Sequence, residues 1–254
     1  MAAECLDSYL DYDTSEYVMT VTPTNQNNPL YYRRALGLWI EWRRTEVGRS
    51  REELADVLAL TLSGYRLVEV GETPTLDHYW IALDEVGLDV CQVCSFCRVI
   101  VRSVEALETS LGRQLSAEEW EVEARKYYQE GGSFKGPTSK NTPELYRFAL
   151  GWLIRQLFEA AGISQATMAV DIGVAYRNKK FTQPGFRNII IGKTPTFDLY
   201  WLSYDRLGKD AVTALFMARV MVRQMQERIA DVGRPLSPHE MSAICSEYYL
   251  NWRK

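Results

Sequence analysis

Apolar positions recur at helical spacing throughout this chain, and the same succession of spacings runs twice. Ala35-Leu36, Trp39-Ile40 and Val47 lay down one apolar stripe, which Gly48 ends. Ser50 with Glu53 three residues on has the form of a capping box, and Leu54-Ala55 and Leu58 follow as a short second helix. Thr61 opens a third helix closed by Gly71. Thr75 or Asp77 opens a fourth, with Tyr79-Trp80 and Leu83 turned inward and Gly87 at its end. A longer fifth runs from Asp89 to Leu111, and Ser116 with Glu119 starts a sixth that ends near Tyr128. No stretch alternates convincingly with the period of a strand, so the pattern predicts an all-α protein.

The duplication is explicit in the residues. Pro29 to Glu130 realigns onto Pro143 to Asn251 with one insertion, Ala175-Tyr176-Arg177-Asn178-Lys179-Lys180-Phe181. The longest matched block is Gly71-Glu72-Thr73-Pro74-Thr75-Leu76-Asp77-His78-Tyr79-Trp80 against Gly192-Lys193-Thr194-Pro195-Thr196-Phe197-Asp198-Leu199-Tyr200-Trp201. A repeat this long exceeds a solenoid unit and reads as two tandem domains, 29–130 and 143–254, each large enough to bury a core. Residues 1–28 are acidic and end in the turn-rich run Thr22 to Pro29, so an arm or loop is expected, with Tyr9, Tyr12 and Tyr17 available to dock it. Residues 131–142 are glycine-rich and read as a flexible linker.

With 46% hydrophobic and 24% charged residues, the chain has the composition of an ordinary globular protein. No apolar run approaches the ~18 residues of a membrane span. The N-terminus lacks the basic and apolar regions of a secretory signal, so a cytoplasmic protein is expected. The net charge of −4 hides a split. Residues 1–28 hold five acids and no Lys or Arg; the first copy has 12 basic against 18 acidic residues, the second 15 against 10. An acidic chain argues against nucleic acid, whereas the basic second copy argues for it.

One run of motifs resembles a known family. Gly48-Arg49-Ser50-Arg51-Glu52-Glu53-Leu54-Ala55, then Val68-Glu69-Val70-Gly71, then Pro74, looks like the phage-repressor (Cro-like, XRE-type) helix-turn-helix. The second copy keeps Gly162-Ile163-Ser164-Gln165, Ala169, Gly192 and Pro195. The resemblance implies two tandem lambda-repressor-like helix-turn-helix domains, each extended by two further helices, and sequence-specific binding of double-stranded DNA by a transcriptional regulator, most simply a repressor. The first copy departs from the family in having Arg43 and Arg49 where the second has Leu157 and Ile163, and the second has Ile190 in place of Glu69. The insertion breaks the tight turn between its second and third helices.

On that resemblance, bases are read by Gln183, Arg187, Asn188 and Gln165 in the second copy and by Arg51, Ser63 and Arg66 in the first. Arg suits guanine, and Gln or Asn suits adenine. Phosphate partners are Arg177, Lys179, Lys180 and Lys193 in the second copy and Arg33, Arg34, Arg44 and Arg49 in the first. Tyr65 and Phe186, matched across the copies, are expected in the core. The rival reading is a protein-interaction antiactivator or adaptor that keeps the fold without reading DNA, supported by the acidic first copy and arm.

Other constellations carry less. Cys91, Cys94 and Cys97 have a spacing seen around iron–sulfur clusters, but their counterparts are Val212, Leu215 and Ala218, so they are expected as core residues rather than as a metal or redox site. His78 aligns with Leu199 and His239 with Glu118, so no repeated acid–base or metal constellation exists, and neither an enzyme nor a cofactor is expected. The fifth and sixth helices, with matched Arg98 to Arg102 and Arg219 to Arg223, are expected to pack one repeat on the other or to form a homodimer.

Overall fold

The computed structural model describes residues 27–130, 140–176 and 181–252 of the chain, and these contain twelve helices and no strand. The first repeat comprises α1 (Pro29–Glu46), α2 (Arg51–Val57), α3 (Leu62–Glu69), α4 (Leu76–Glu85), α5 (Val90–Leu111) and α6 (Ala117–Glu130). The second comprises α7 (Pro143–Ala160), α8 (Gln165–Ala175), α9 (Gln183–Ile190), α10 (Phe197–Arg206), α11 (Ala211–Val232) and α12 (Pro238–Trp252). Polar side chains start several of these helices where the sequence places them. Ser50 accepts from the Glu53 amide while Glu53 reaches back to Ser50, a complete capping box; Thr61 caps α3, and Asp89 accepts from the Cys91 and Gln92 amides.

Glycine sets how closely α1 meets α3. A Cβ on Gly37 would lie 2.2 Å from the Glu69 carbonyl oxygen, and one on Gly151 would lie 2.2 Å from that of Ile189. In each repeat, therefore, the end of the third helix rests directly on the backbone of the first. Cys91, Cys94 and Cys97 are fully buried in the core, as are Tyr65 and Phe186.

The repeats meet through contacts made in reciprocal pairs, the signature of a twofold relation within one chain. The Leu76 amide donates to the Pro195 carbonyl at 2.6 Å, and the Phe197 amide to the Pro74 carbonyl at 2.7 Å, with Thr75 and Thr196 bridged antiparallel between them. Buried Arg33 reaches Asp198 at 2.9 Å, and its counterpart Arg147 pairs with Asp77. The Arg33 and Asp198 atoms are not aligned for a hydrogen bond, so the attraction there is between charges. Arg98 faces Asp210 at 3.3 Å and Arg219 faces Asp89 at 2.8 Å, which ties α5 to α11. Around the axis, Tyr32 packs on Trp201 and Tyr146 on Trp80, while the two tryptophans meet edge to face at 6.5 Å. The buried apolar residues of both repeats form one continuous cluster.

The segments preceding α1 and α7 are fixed across the same axis. Asn27 donates to the Lys209 carbonyl and accepts from the Ala211 amide; Asn141 donates to the Leu88 carbonyl and accepts from the Val90 amide. Both asparagines lie in stretches read as arm or linker, yet each ends the polar backbone of a turn in the opposite repeat. Residues 131–139 of that linker lie outside the described residues.

Two outcomes follow from this packing. Gly37→Ala and Gly151→Ala should each lower stability by roughly 1–3 kcal/mol, because backbone, which cannot rotate away, occupies the added volume; urea denaturation measures it. The half-buried Glu105 carboxyl is pushed up to about 7 by burial and then by Glu108, with Asp205 of the second repeat adding to it and Arg102 opposing. The fold therefore favours its neutral form. That contribution is whole below the ordinary carboxylate range and is lost as pH climbs through 7. Glu105→Gln should match wild-type stability near pH 5 and exceed it at pH 8 by the order of 1 kcal/mol, reduced for partial exposure; melting curves at the two pH values decide.

Candidate nucleic-acid interface

The two third helices, related by the pseudo-twofold, present chemically different faces. On α9, Gln183, Arg187 and Asn188 are exposed, as is Lys193 beyond its end, and none makes a hydrogen bond or ion pair through its side chain with another described residue. Thr182 precedes α9 without a side-chain cap, and Pro184 lies in its first turn. Gln165, first residue of α8, is half-buried. Phe181, at the end of the insertion, packs over Gly185. Arg177, Lys179 and Lys180 lie outside the described residues.

The first repeat is different because Glu69 is buried near the end of α3. Its carboxylate takes Arg44 on one oxygen, at 2.6 Å, and Arg51 on the other. Arg51 also binds Glu41 at 2.8 Å, and Arg44 donates to the Arg49 carbonyl at 2.8 Å. The bond to Glu69 holds the Arg51 guanidinium above its usual range, while burial and the neighbouring Glu69 push the Glu41 carboxyl up. In the second repeat the matched residues are Phe158 for Arg44, Gln165 for Arg51 and Ile190 for Glu69. Phe158 and Ile190 are buried, and Phe158 packs edge to face on Phe186 at 5.5 Å. One repeat thus closes this joint with charge, the other with hydrocarbon.

Several candidates named from sequence are engaged in contacts within the chain. Arg33 is 5% exposed and engaged with Asp198 across the contact between the repeats. Arg44 is turned inward onto Glu69, and Arg51 is held by Glu69 and Glu41 rather than left to read a base. Arg49 binds Glu85 at 3.1 Å and lies near Glu53, and Arg34 lies over the Trp120 ring at 5.0 Å. Of the first repeat's candidates, Ser63 and Arg66 stay on the surface, Ser63 beside the Thr61 hydroxyl. The same face of α3 also exposes Leu67 and Val70, and the outer side of α2 carries Glu52, Glu53 and Asp56. Their counterparts on α8 are Ala166, Thr167 and Val170.

The interface ion pairs are absent from the expectations drawn from sequence, although their signal is present there. Arg33 with Arg147, Asp77 with Asp198, and Asp89 with Asp210 all occur in both copies, and a polar residue retained in both belongs to the shared architecture as readily as to a site. No protein family model, curated protein or solved structure matches the chain.

The Glu69 joint gives a direct test. Glu69→Ile alone leaves Arg44 facing a hydrophobic wall and should destabilise by about 3–5 kcal/mol, the effect of stranding a buried charge. Arg44→Phe/Arg51→Gln/Glu69→Ile, which installs the second repeat's set, should recover most of that loss in urea denaturation.

Proposed function

We propose that the protein is a sequence-specific DNA-binding regulator in which the two fused repeats act as a pseudo-dimer and the second repeat supplies most of the base reading. The observation that carries this reading is the contrast between α9, whose Gln183, Arg187 and Asn188 are exposed, and α3, whose neighbouring arginines are held by carboxylates. The resemblance to the phage-repressor helix-turn-helix would set the third helix against base edges. Arg and Asn or Gln are the side chains able to make two hydrogen bonds with a guanine or an adenine.

The pseudo-twofold supports the pairing. Thr75 and Thr196, which meet at the axis, each lie six residues beyond the end of a third helix. Six residues span at most ~20 Å, so the two helix ends lie within about 40 Å plus the bridge, a range that admits the ~34 Å between successive major-groove half-sites. An acidic α2 repels phosphate where α8 does not, with Ala166, Thr167 and Val170 at the matched positions and Asp171 paired with Arg206, so the operator is expected to be asymmetric, with the stronger half-site under the second repeat.

A second reading keeps the fold as a protein-interaction adaptor, and the exposed Leu67 and Val70 beside Glu52, Glu53 and Asp56 favour it for the first repeat alone. The two readings separate in one experiment. Random-site selection followed by anisotropy titration should yield a preferred duplex whose affinity falls steeply with salt. Arg187→Ala should reduce discrimination at one base pair by about 1–3 kcal/mol, whereas Lys193→Ala should weaken all duplexes alike and lower the salt slope by about 1. Equal losses on selected and random duplexes for Arg187→Ala, or no salt-dependent binding at all, would refute base reading by α9.

A further inference from the structure

The third helices keep their backbone across the axis and exchange their chemistry. On α3, Tyr65, Val68 and Glu69 are buried, and the opposite side carries half-buried Leu62 with exposed Arg66, Leu67 and Val70. Their helical spacing joins these four into one strip. The matched residues at α9 are Gln183, Arg187, Asn188 and Ile191. Both amides of the second repeat are thus leucines in the first, while the arginine and the β-branched residue are kept. Packing does not ask for those leucines, because Gln and Asn serve at the same positions of the same fold. They leave apolar surface in water, Leu67 at 44% and Val70 at 55% exposure.

Charge frames the strip. Glu52 and Asp56 lie one turn apart on the outer side of α2, which packs against α3, and Glu72 follows the end of α3. The Glu72 amide donates to the Leu67 carbonyl at 2.8 Å, which keeps this residue beside the strip. All three carboxylates are exposed, and none makes a side-chain hydrogen bond or ion pair with another described residue. Their counterparts in the second repeat are Ala166, Val170 and Lys193. Of the neighbouring charges, Glu53 is taken by the capping box with Ser50, Arg51 by Glu69 and Glu41, and Arg49 by Glu85. Arg66 alone opposes the three acids. Such a face repels the phosphates of a duplex and of an anionic lipid surface alike, and it favours a cationic occupant with an apolar side.

We propose that the outward face of α2 and α3 is a docking surface for a basic amphipathic segment of another protein, which seats its apolar side on Leu62, Leu67 and Val70 and its cations on Glu52, Asp56 and Glu72. The docking rests on the adaptor reading of the first repeat and not on base reading by α9; where both hold, the segment displaces the duplex from the weaker half-site.

The test uses the full ¹⁵N-labelled chain and, as probe, a helical peptide with leucines on one side and lysines on the other. Its titration should shift amides centred on 52–72 and leave those of 165–176 and 183–193 in place. The affinity should fall about ten-fold in E52Q/D56N/E72Q, the sum of three charge contacts of ordinary surface strength. It should fall by a similar factor in Leu67→Asn, which installs the second repeat's residue. Both variants alter exposed positions only, and unchanged spectra elsewhere report that the fold is kept. A peptide with serine in place of leucine should bind far more weakly. Shifts centred elsewhere, an affinity that neither variant changes, or equal binding of the serine peptide, which is attraction by charge alone, overturns the proposal. So do shifts of 52–72 on concentrating the protein by itself, which name a second copy as the occupant. A random duplex that shifts 52–72 more strongly than 183–193 names nucleic acid and overturns it too. A peptide that maps as expected while no duplex binds upholds the docking and removes the base reading; a duplex that maps to 183–193 while the peptide fails does the reverse.

Discussion

The structure depends on a single joint, the pseudo-twofold contact where α4 and α10 begin. Its centre is aromatic, with Trp80 set edge to face on Trp201, each covered by a tyrosine from the opposite repeat's first helix. Around that centre the charges are directional. Arg33 with Asp198 and Arg147 with Asp77 set the relation of α1 to α10 and of α7 to α4, and Arg98 with Asp210 and Arg219 with Asp89 set that of α5 to α11. Burial raises both Asp198 and Asp77, and the facing arginines oppose it, so these pairs add little net stability for their desolvation. What they provide is register. A slipped pairing would leave four arginines and four aspartates without partners, whereas the aromatic surface alone would tolerate several arrangements.

Because that joint is made within one chain, the two outward faces are free to differ. In a homodimer, any change on the third helix appears twice. Here Arg44, Arg51 and Glu69 form a charged cluster in one repeat, while Phe158, Gln165 and Ile190 occupy its place in the other, without disturbing the contact of α3 with Gly37 or of α9 with Gly151. The cluster holds Arg44 and Arg51 on carboxylates of their own repeat. The apolar replacement leaves Gln165 without such a carboxylate, while the matched Arg66 and Arg187 are exposed in both repeats. Divergence has thus given the two sides of the axis different surfaces, acidic on α2 through Glu52, Glu53 and Asp56 and uncharged at the matched Ala166, Thr167 and Val170 of α8.

Much of the fold was readable from residues. The helix starts at Ser50, Thr61 and Asp89 follow from side chains that satisfy free amides, a local rule that does not depend on the rest of the molecule. The core positions of Tyr65, Phe186 and the three cysteines followed from comparison of the copies. The fate of the arginines was not readable, because an Arg on a helix surface looks the same whether its carboxylate partner is 25 residues away, as for Arg44, or 165 away, as for Arg33. Nor was the role of Asn27 and Asn141. Each sits in a polar, turn-rich stretch whose composition suggests a loop, and only the opposite repeat supplies the backbone groups they satisfy.

The same joint bears on association between molecules. Their amphipathic pattern alone allows the fifth and sixth helices to pack either within the chain or between two copies. The fifth helices α5 and α11 are engaged with each other in cis, through Arg98, Asp210, Arg219 and Asp89 and through the Cys91 thiol, which meets the Leu215 carbonyl. The segment joining the repeats is short enough to hold the two surfaces at about millimolar effective concentration. A second copy can use this interface only by exchanging repeats, which gains no contact that the single chain lacks. Exchange would therefore be driven by concentration alone.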